Sequence, residues 1–146
     1  MAARLFIKSG TLAQESGRDV KAATKISSKA GDGAIDSPVS LLVTTGTAGA
    51  SEVFAAALEG NKRADLIGEH TLGRAGLQKL VKLPENRGLW LTYARYLTPD
   101  GKPIHGKGLE PTVQVDEPDV EFGAPAPTTD PVLDSAVQRA KTKRAA

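Results

Sequence analysis

A few side chains in this sequence carry enough chemistry to be weighed first. Thr47 and Ser51 lie in and just after the glycine-rich turn Thr45-Gly-Thr-Ala-Gly49. A hydroxyl attacks only when a base stands beside it, because its own pKa lies far above neutrality. His70 and His105 are the two histidines of the chain, and the expectation for both is a surface side chain. Asp65 and Glu69 bracket a short apolar run, a spacing too loose to mark an acid–base pair. Gly46-x-x-Gly49 ahead of a helix is a generic anion motif without the Lys-Ser/Thr of a phosphate-binding loop. With no cysteine, disulfides, thiol catalysis and zinc–thiolate sites are excluded. Two histidines with no clustered carboxylates give no metal motif, and no cofactor is called for.

The elements around these groups follow from periodicity. Pro38-Val-Ser-Leu-Leu-Val-Thr44 is a short apolar run, the pattern of a buried strand. Ala50, Val53, Phe54, Ala57 and Leu58 then fall on one helical stripe, stopped at Gly60-Asn61. Ala64-Asp-Leu-Ile67 reads as a second buried strand, so this strand–helix–strand order predicts a parallel pair with a right-handed crossover. Residues 77–83 and 89–97 read as two strands around Pro84–Gly88. Leu89, Leu91, Tyr93 and Leu97 share one face of the second, while Trp90, Thr92 and Tyr96 share the other. Large groups on both faces predict a strand covered on both sides.

Upstream, residues 10–37 read as loop with a possible hairpin; downstream, Pro99-Asp-Gly-Lys102 is a tight turn and Thr112–Val115 a last short strand. Residues 116–131 hold five acidic residues and four prolines, the composition of an extended linker. Residues 132–146 then form a short basic helix or tail, carrying Val132, Leu133, Ala136, Val137 and Ala140 on its apolar side. Basic residues at its end complement the helix dipole.

The chain of 146 residues fits one domain with an ordinary core. A net charge of +2, with one Trp, two Tyr and three Phe, argues against a nucleic-acid interface. No apolar run reaches the roughly 18 residues of a membrane span. The start, Met1-Ala-Ala-Arg-Leu-Phe-Ile-Lys, lacks the apolar stretch of a signal peptide and leaves the compartment open.

Four strings in order carry a resemblance. They are Gly46-Thr-Ala-Gly-Ala-Ser-Glu52; Ile67-Gly-Glu-His-Thr-Leu-Gly-Arg-Ala-Gly-Leu-Gln78; Leu91-Thr-Tyr-Ala-Arg-Tyr-Leu-Thr-Pro-Asp-Gly-Lys-Pro-Ile104; and His105-Gly-Lys-Gly-Leu-Glu-Pro111. Together they resemble the C-terminal part of the catalytic core of tail-specific (C-terminal processing) serine proteases. The opening Ala3-Arg-Leu-Phe-Ile-Lys-Ser-Gly10 is similar to the family segment just before it. The resemblance implies an α/β fold of crossed βαβ units related to the crotonase and ClpP folds, spanning residues 1–115 and incomplete at its N-terminus. The family's substrate-receiving PDZ domain is expected to lie outside these residues. The family acts on unfolded or C-terminal segments of proteins, and its complete members are usually exported to the cell envelope.

By the same resemblance, catalysis uses a serine nucleophile, a lysine base and a glutamine that orients the lysine. A lysine serves as base only when burial leaves it neutral, and backbone N–H groups at the helix start hold the developing oxyanion. Carried over residue by residue, the nucleophile position is Gly49, the lysine position is Arg74 and the glutamine is retained as Gln78. Gly46, Thr47, Ala48 and Ala50 would line the substrate. Glycine has nothing to attack with, and an arginine stays protonated. The expectation is a catalytically degenerate, peptide-binding or structural domain. The alternative is an active peptidase with a shifted nucleophile, Ser51. Two helical positions are about 200° apart, which turns Ser51 away from position 49. Its plainer expected role, shared with Thr47, is to cap the helix start.

Overall fold

The computed structural model describes residues 2–18, 23–118, 123 and 127–145. After a short 3-10 turn over Ala2–Leu5, the described elements are β1 (Thr11–Ser16), β2 (Thr24–Ser27), β3 (Val39–Val43), α1 (Ala50–Gly60), β4 (Ala64–Gly68), β5 (Gly76–Leu83), β6 (Arg87–Leu97), β7 (Val113–Gln114) and α2 (Pro131–Ala145). They form two sheets, an antiparallel one ordered β2-β1-β6-β5 and a parallel one ordered β3-β4-β7. The fold is mixed α/β, as expected.

The parallel pair β3–β4 joined through α1 is the unit predicted from residues 38–67. Its register runs from Val39 opposite Ala64 to Val43 opposite Gly68. Gly68 is required there: a Cβ would come within 2.1 Å of the Val43 carbonyl oxygen, and φ is +126°. Helix α1 packs between the sheets, touching β1 on one side and β4 on the other. That is why its buried set, Val53, Ala55, Ala56, Ala57 and Leu58, is wider than one stripe. Three alanines let both sheets approach closely.

Leu12, Leu58, Leu66, Ile67 and Ile104 are fully buried, each stabilising the fold by about 1.5–3 kcal/mol relative to exposure. The helix ends at Asn61, whose Nδ2 donates to the carbonyls of Ala57 and Thr11, both at 2.8 Å. On the far face of the parallel sheet, α2 buries Val132 and Ala136 against Ile67, Val113 and Val115. Arg139 Nε donates to Asp65 Oδ2 at 2.5 Å, tying the basic side of α2 to β4. Of the expected linker at 116–131, residues 119–122 and 124–126 lie outside the described residues.

Two expectations are corrected. Strand β6 is not covered on both sides: Leu89, Trp90, Leu91 and Tyr93 are all exposed, as are Leu80 and Leu83 of β5. Only the end of β6 near Ala94 and Leu97 is buried, where it pairs with β1. Large side chains on both faces signalled sheet surfaces, yet these side chains remain exposed. The second correction concerns the helix start: neither Ser51 nor Thr47 caps α1. Thr47 Oγ1 accepts instead from the Thr44 N–H at 3.0 Å, closing the turn ahead of the helix.

Candidate active site: a turn and a loop fastened by one carboxylate

The chain leaves β3 at Val43, turns through Thr44–Ala48 and enters α1 at Ala50, with Gly49 as the hinge. Gly49 sits at φ 63°, ψ −121°, a left-handed conformation that side chains other than glycine's adopt only under strain. This is the backbone of a sharp strand-to-helix elbow, the kind that exposes a nucleophile at its apex. A Cβ at position 49 would meet only the Arg74 carbonyl oxygen, at 3.9 Å. The elbow therefore has room for a side chain and points it at residue 74.

Position 74 is brought there by Glu52. This side chain is fully buried in the first turn of α1. Its Oε2 accepts from the N–H of Gly49 at 3.0 Å and of Arg74 at 2.7 Å. Its Oε1 accepts from the N–H of Gly73 and from Thr71 Oγ1, both at 2.6 Å. Four donors and no acceptor face it, a set that the acceptor-only carboxylate satisfies completely. Thr71 Oγ1 also accepts from the Leu109 N–H at 2.8 Å, so residues 105–109 join the same network. Gly73 and Gly108 make that junction possible. A Cβ on Gly73 would lie 2.7 Å from the Gly108 nitrogen, and one on Gly108 would lie 2.2 Å from the Thr71 carbonyl oxygen.

The sequence-predicted residues fall around this junction. Gly46, Thr47 and Ala48 form the turn, where Gly46 N–H donates to Thr44 Oγ1 at 3.2 Å and the Thr47 carbonyl accepts from Leu72 N–H at 3.0 Å. Ala50 and Ser51 are exposed at the helix start and line an apolar cavity of about 480 Å³ with Ala2, Ile26, Val53, Phe54 and Tyr96. Tyr96 is the one ionisable side chain there, and burial raises its phenol above the usual range, so it stays protonated. The Arg74 side chain is exposed and, among the described residues, in no ion pair.

Gln78 Nε2 donates to Thr92 Oγ1 at 3.1 Å, across the β5–β6 ladder, rather than to residue 74. His70 Nε2 lies 3.5 Å from Glu110 Oε1 on the surface. His105 lies against Gly76 and Thr92 in a separate cavity. The structure brings neither histidine into the cavity that Ser51 lines. Asp65 is taken by Arg139, while Glu69 accepts from the N–H groups of Thr45 and Glu117. Among the described residues, no group of three or more His, Asp or Glu is placed to hold a metal ion.

Sequence reasoning missed the role of Glu52, although its signal was present. An acidic residue three positions after a helix N-cap is the reaching-back half of a capping box. That it also gathers a loop about twenty residues further on is a tertiary fact with no local trace.

Comparison with known proteins gives the family. The family model of peptidase family S41 matches residues 1–115. A carboxy-terminal-processing protease of Bartonella bacilliformis is 35% identical over 113 residues, covering 77% of this chain and 26% of that protein. A carboxyl-terminal-processing protease of Synechocystis is 42% identical over 92 residues, covering 63% and 22%. The solved structure of a photosystem II D1 C-terminal processing protease superposes with a TM-score of 0.69 at 37% identity, covering 79% of this chain and 30% of that one. A lipoprotein from Streptococcus agalactiae shares the fold, at TM-score 0.69 and 15% identity. The chain thus spans about a quarter of the length of the curated relatives it matches. An elbow at Gly49, a loop fastened beside it by Glu52 and a family match over residues 1–115 together place this chain in peptidase family S41.

Proposed function

We propose that this chain is a catalytically degenerate member of the family, which binds extended or C-terminal peptide segments of proteins, or braces a larger assembly, without cleaving them. The observation that carries this reading is the pair of residues at the elbow: glycine at 49, in nucleophile-bearing geometry, facing a loop whose position 74 is arginine. Attack on a carbonyl needs an oxygen or sulfur at the apex and a neutral base beside it. A permanently protonated guanidinium cannot take the proton. The curated relatives are named as carboxy-terminal-processing proteases, and tails of proteins are the natural class of ligand for a domain keeping that scaffold. An extended peptide adds to a sheet edge through its backbone, which needs no nucleophile.

The test combines fluorophosphonate labelling with cleavage of an unfolded protein substrate. No label and no cleavage by a folded chain, with retained binding of an extended peptide, is the expected outcome. Labelling that disappears in Ser51→Ala would overturn the reading in favour of a shifted nucleophile.

A further inference from the structure

The cavity that holds His105 is unlike the apolar one at the helix start. It encloses about 590 Å³ and is lined by Ser16, Gly17, Arg18, Leu91, Thr92, Tyr93, Ala94, Arg95 and His105. Two arginines and a histidine are among its lining residues. No carboxylate lines it among the described residues. The nearest one along β1, Glu15, sits opposite Tyr96 and so shows the other face of the sheet. Ser16 sits opposite Arg95 across the β1–β6 ladder, and opposite residues share a face.

Ser16 lies beneath this lining, fully buried, and among the described residues its Oγ has no hydrogen-bond partner. Arg18 and Arg95 are exposed and, among the described residues, in no ion pair. The guanidinium fork fits the two oxygens of a carboxylate.

The cavity also stands close to the elbow. From Gly49 the path runs through the Arg74 carbonyl at 3.9 Å, along two residues to Gly76, and on to the His105 ring, 3.2 Å from a Cβ at 76. With extended residues spanning ~3.3–3.6 Å each, that path is no longer than ~15 Å, the reach of roughly four residues of an extended peptide.

We infer that this cavity is an oxyanion site that holds the terminal carboxylate of a peptide lying across the elbow, with Arg18 and Arg95 gripping the carboxylate. The inference rests on the peptide-binding reading above and adds to it a polarity: the peptide would lie with its C-terminus toward β1 and β6. A free inorganic oxyanion would meet the same donors, so the test must separate the two sources.

The experiment measures binding of the full chain to a labelled hexapeptide of alternating alanine and valine, by fluorescence anisotropy. The free acid, the C-terminal amide, and inorganic phosphate as competitor are run in parallel. The free acid is expected to bind about tenfold more tightly than the amide, as charge-assisted hydrogen bonds imply. Arg95→Gln and Arg18→Gln should each weaken the acid by about tenfold and leave the amide unchanged. Arg95→Lys should recover only part, since it keeps the charge and loses the fork. Ser16→Ala should leave the acid's affinity unchanged, because that hydroxyl is closed to solvent; circular dichroism checks that each variant is folded.

Equal binding of acid and amide would overturn the site while leaving the peptide-binding reading intact. Phosphate binding more tightly than the peptide acid would assign the cavity to a free anion and overturn the peptide end as its occupant. Acid-selective binding together with fluorophosphonate labelling would sustain the site and sink the degenerate reading instead.

Discussion

Replacing Glu52 by glutamine removes one acceptor oxygen from a network in which all four bonds run toward the side chain. The amide can be placed two ways. With its NH2 on the Oε2 side, it confronts the N–H groups of Gly49 and Arg74, and two part-buried donors lose their acceptor. On the Oε1 side it faces Gly73 N–H and Thr71 Oγ1; the hydroxyl can turn to accept, so only Gly73 is orphaned. The second placement is cheaper, and one buried unsatisfied donor costs about 1–3 kcal/mol. The surviving bonds also lose their charge assistance, roughly half their strength. Together these give a destabilisation of about 3 kcal/mol or more, a large part of the ~5–15 kcal/mol that holds a typical domain.

In urea, at ~1–3 kcal/mol per molar, the unfolding midpoint should fall by roughly 1–3 M. Amide hydrogen exchange should show the protection of Gly49, Gly73 and Arg74 collapsing first. A midpoint within ~0.3 M of the parent, with those three amides still protected, would refute the idea that this carboxylate fastens turn to loop. Thr71→Val serves as a graded control: it strands the Leu109 N–H and should cost about 1–2 kcal/mol.

Gly49→Ser should fold, because its Cβ meets nothing closer than 3.9 Å, but φ of +63° should make it about 1–3 kcal/mol less stable by denaturant titration. Val132→Ala empties a buried contact between α2 and β4 and should cost about 2 kcal/mol, with exchange accelerated in α2 before β4. Trp90, the sole tryptophan and 67% exposed, should emit as a water-exposed indole. Trp90→Ser together with Leu89→Ser should change stability by less than ~0.5 kcal/mol while raising the solubility limit, read by light scattering. Burial holds the Glu59 carboxyl above the ordinary glutamate range, against the Thr112 hydrogen bond and Lys102, which pull it down. A raised carboxyl penalises the fold when ionised, so its contribution improves as pH falls through the folded value toward the unfolded one. Glu59→Gln should stabilise at neutral pH and remove that segment from a stability–pH profile.

Much of this architecture was legible because its signals are local. The β3–α1–β4 unit could be read from two apolar runs around a helical stripe, and its end from Gly60-Asn61. The two strands of the β5–β6 hairpin were legible from their apolar runs on either side of Pro84–Gly88. Their exposure was not, since a face rich in leucine looks the same whether something covers it or not. Position 49 was found through resemblance, but the conformation that makes it an elbow belongs to the backbone. The cationic cavity was invisible for a simpler reason: Arg18 is far along the chain from Arg95 and His105 and meets them only because β1 pairs with β6.

The fastening at Glu52 has an evolutionary consequence. Three of its four partners are backbone N–H groups, at 49, 73 and 74, which every residue but proline possesses. The attachment is therefore indifferent to which side chains stand at 49 and 74. A lineage can exchange a reactive pair there for glycine and arginine, or recover it, without rebuilding the junction. Selection for folding alone would preserve the carboxylate, Thr71 and the two tight glycines long after selection for turnover had lapsed. Intact scaffold motifs therefore record family membership and say nothing by themselves of turnover.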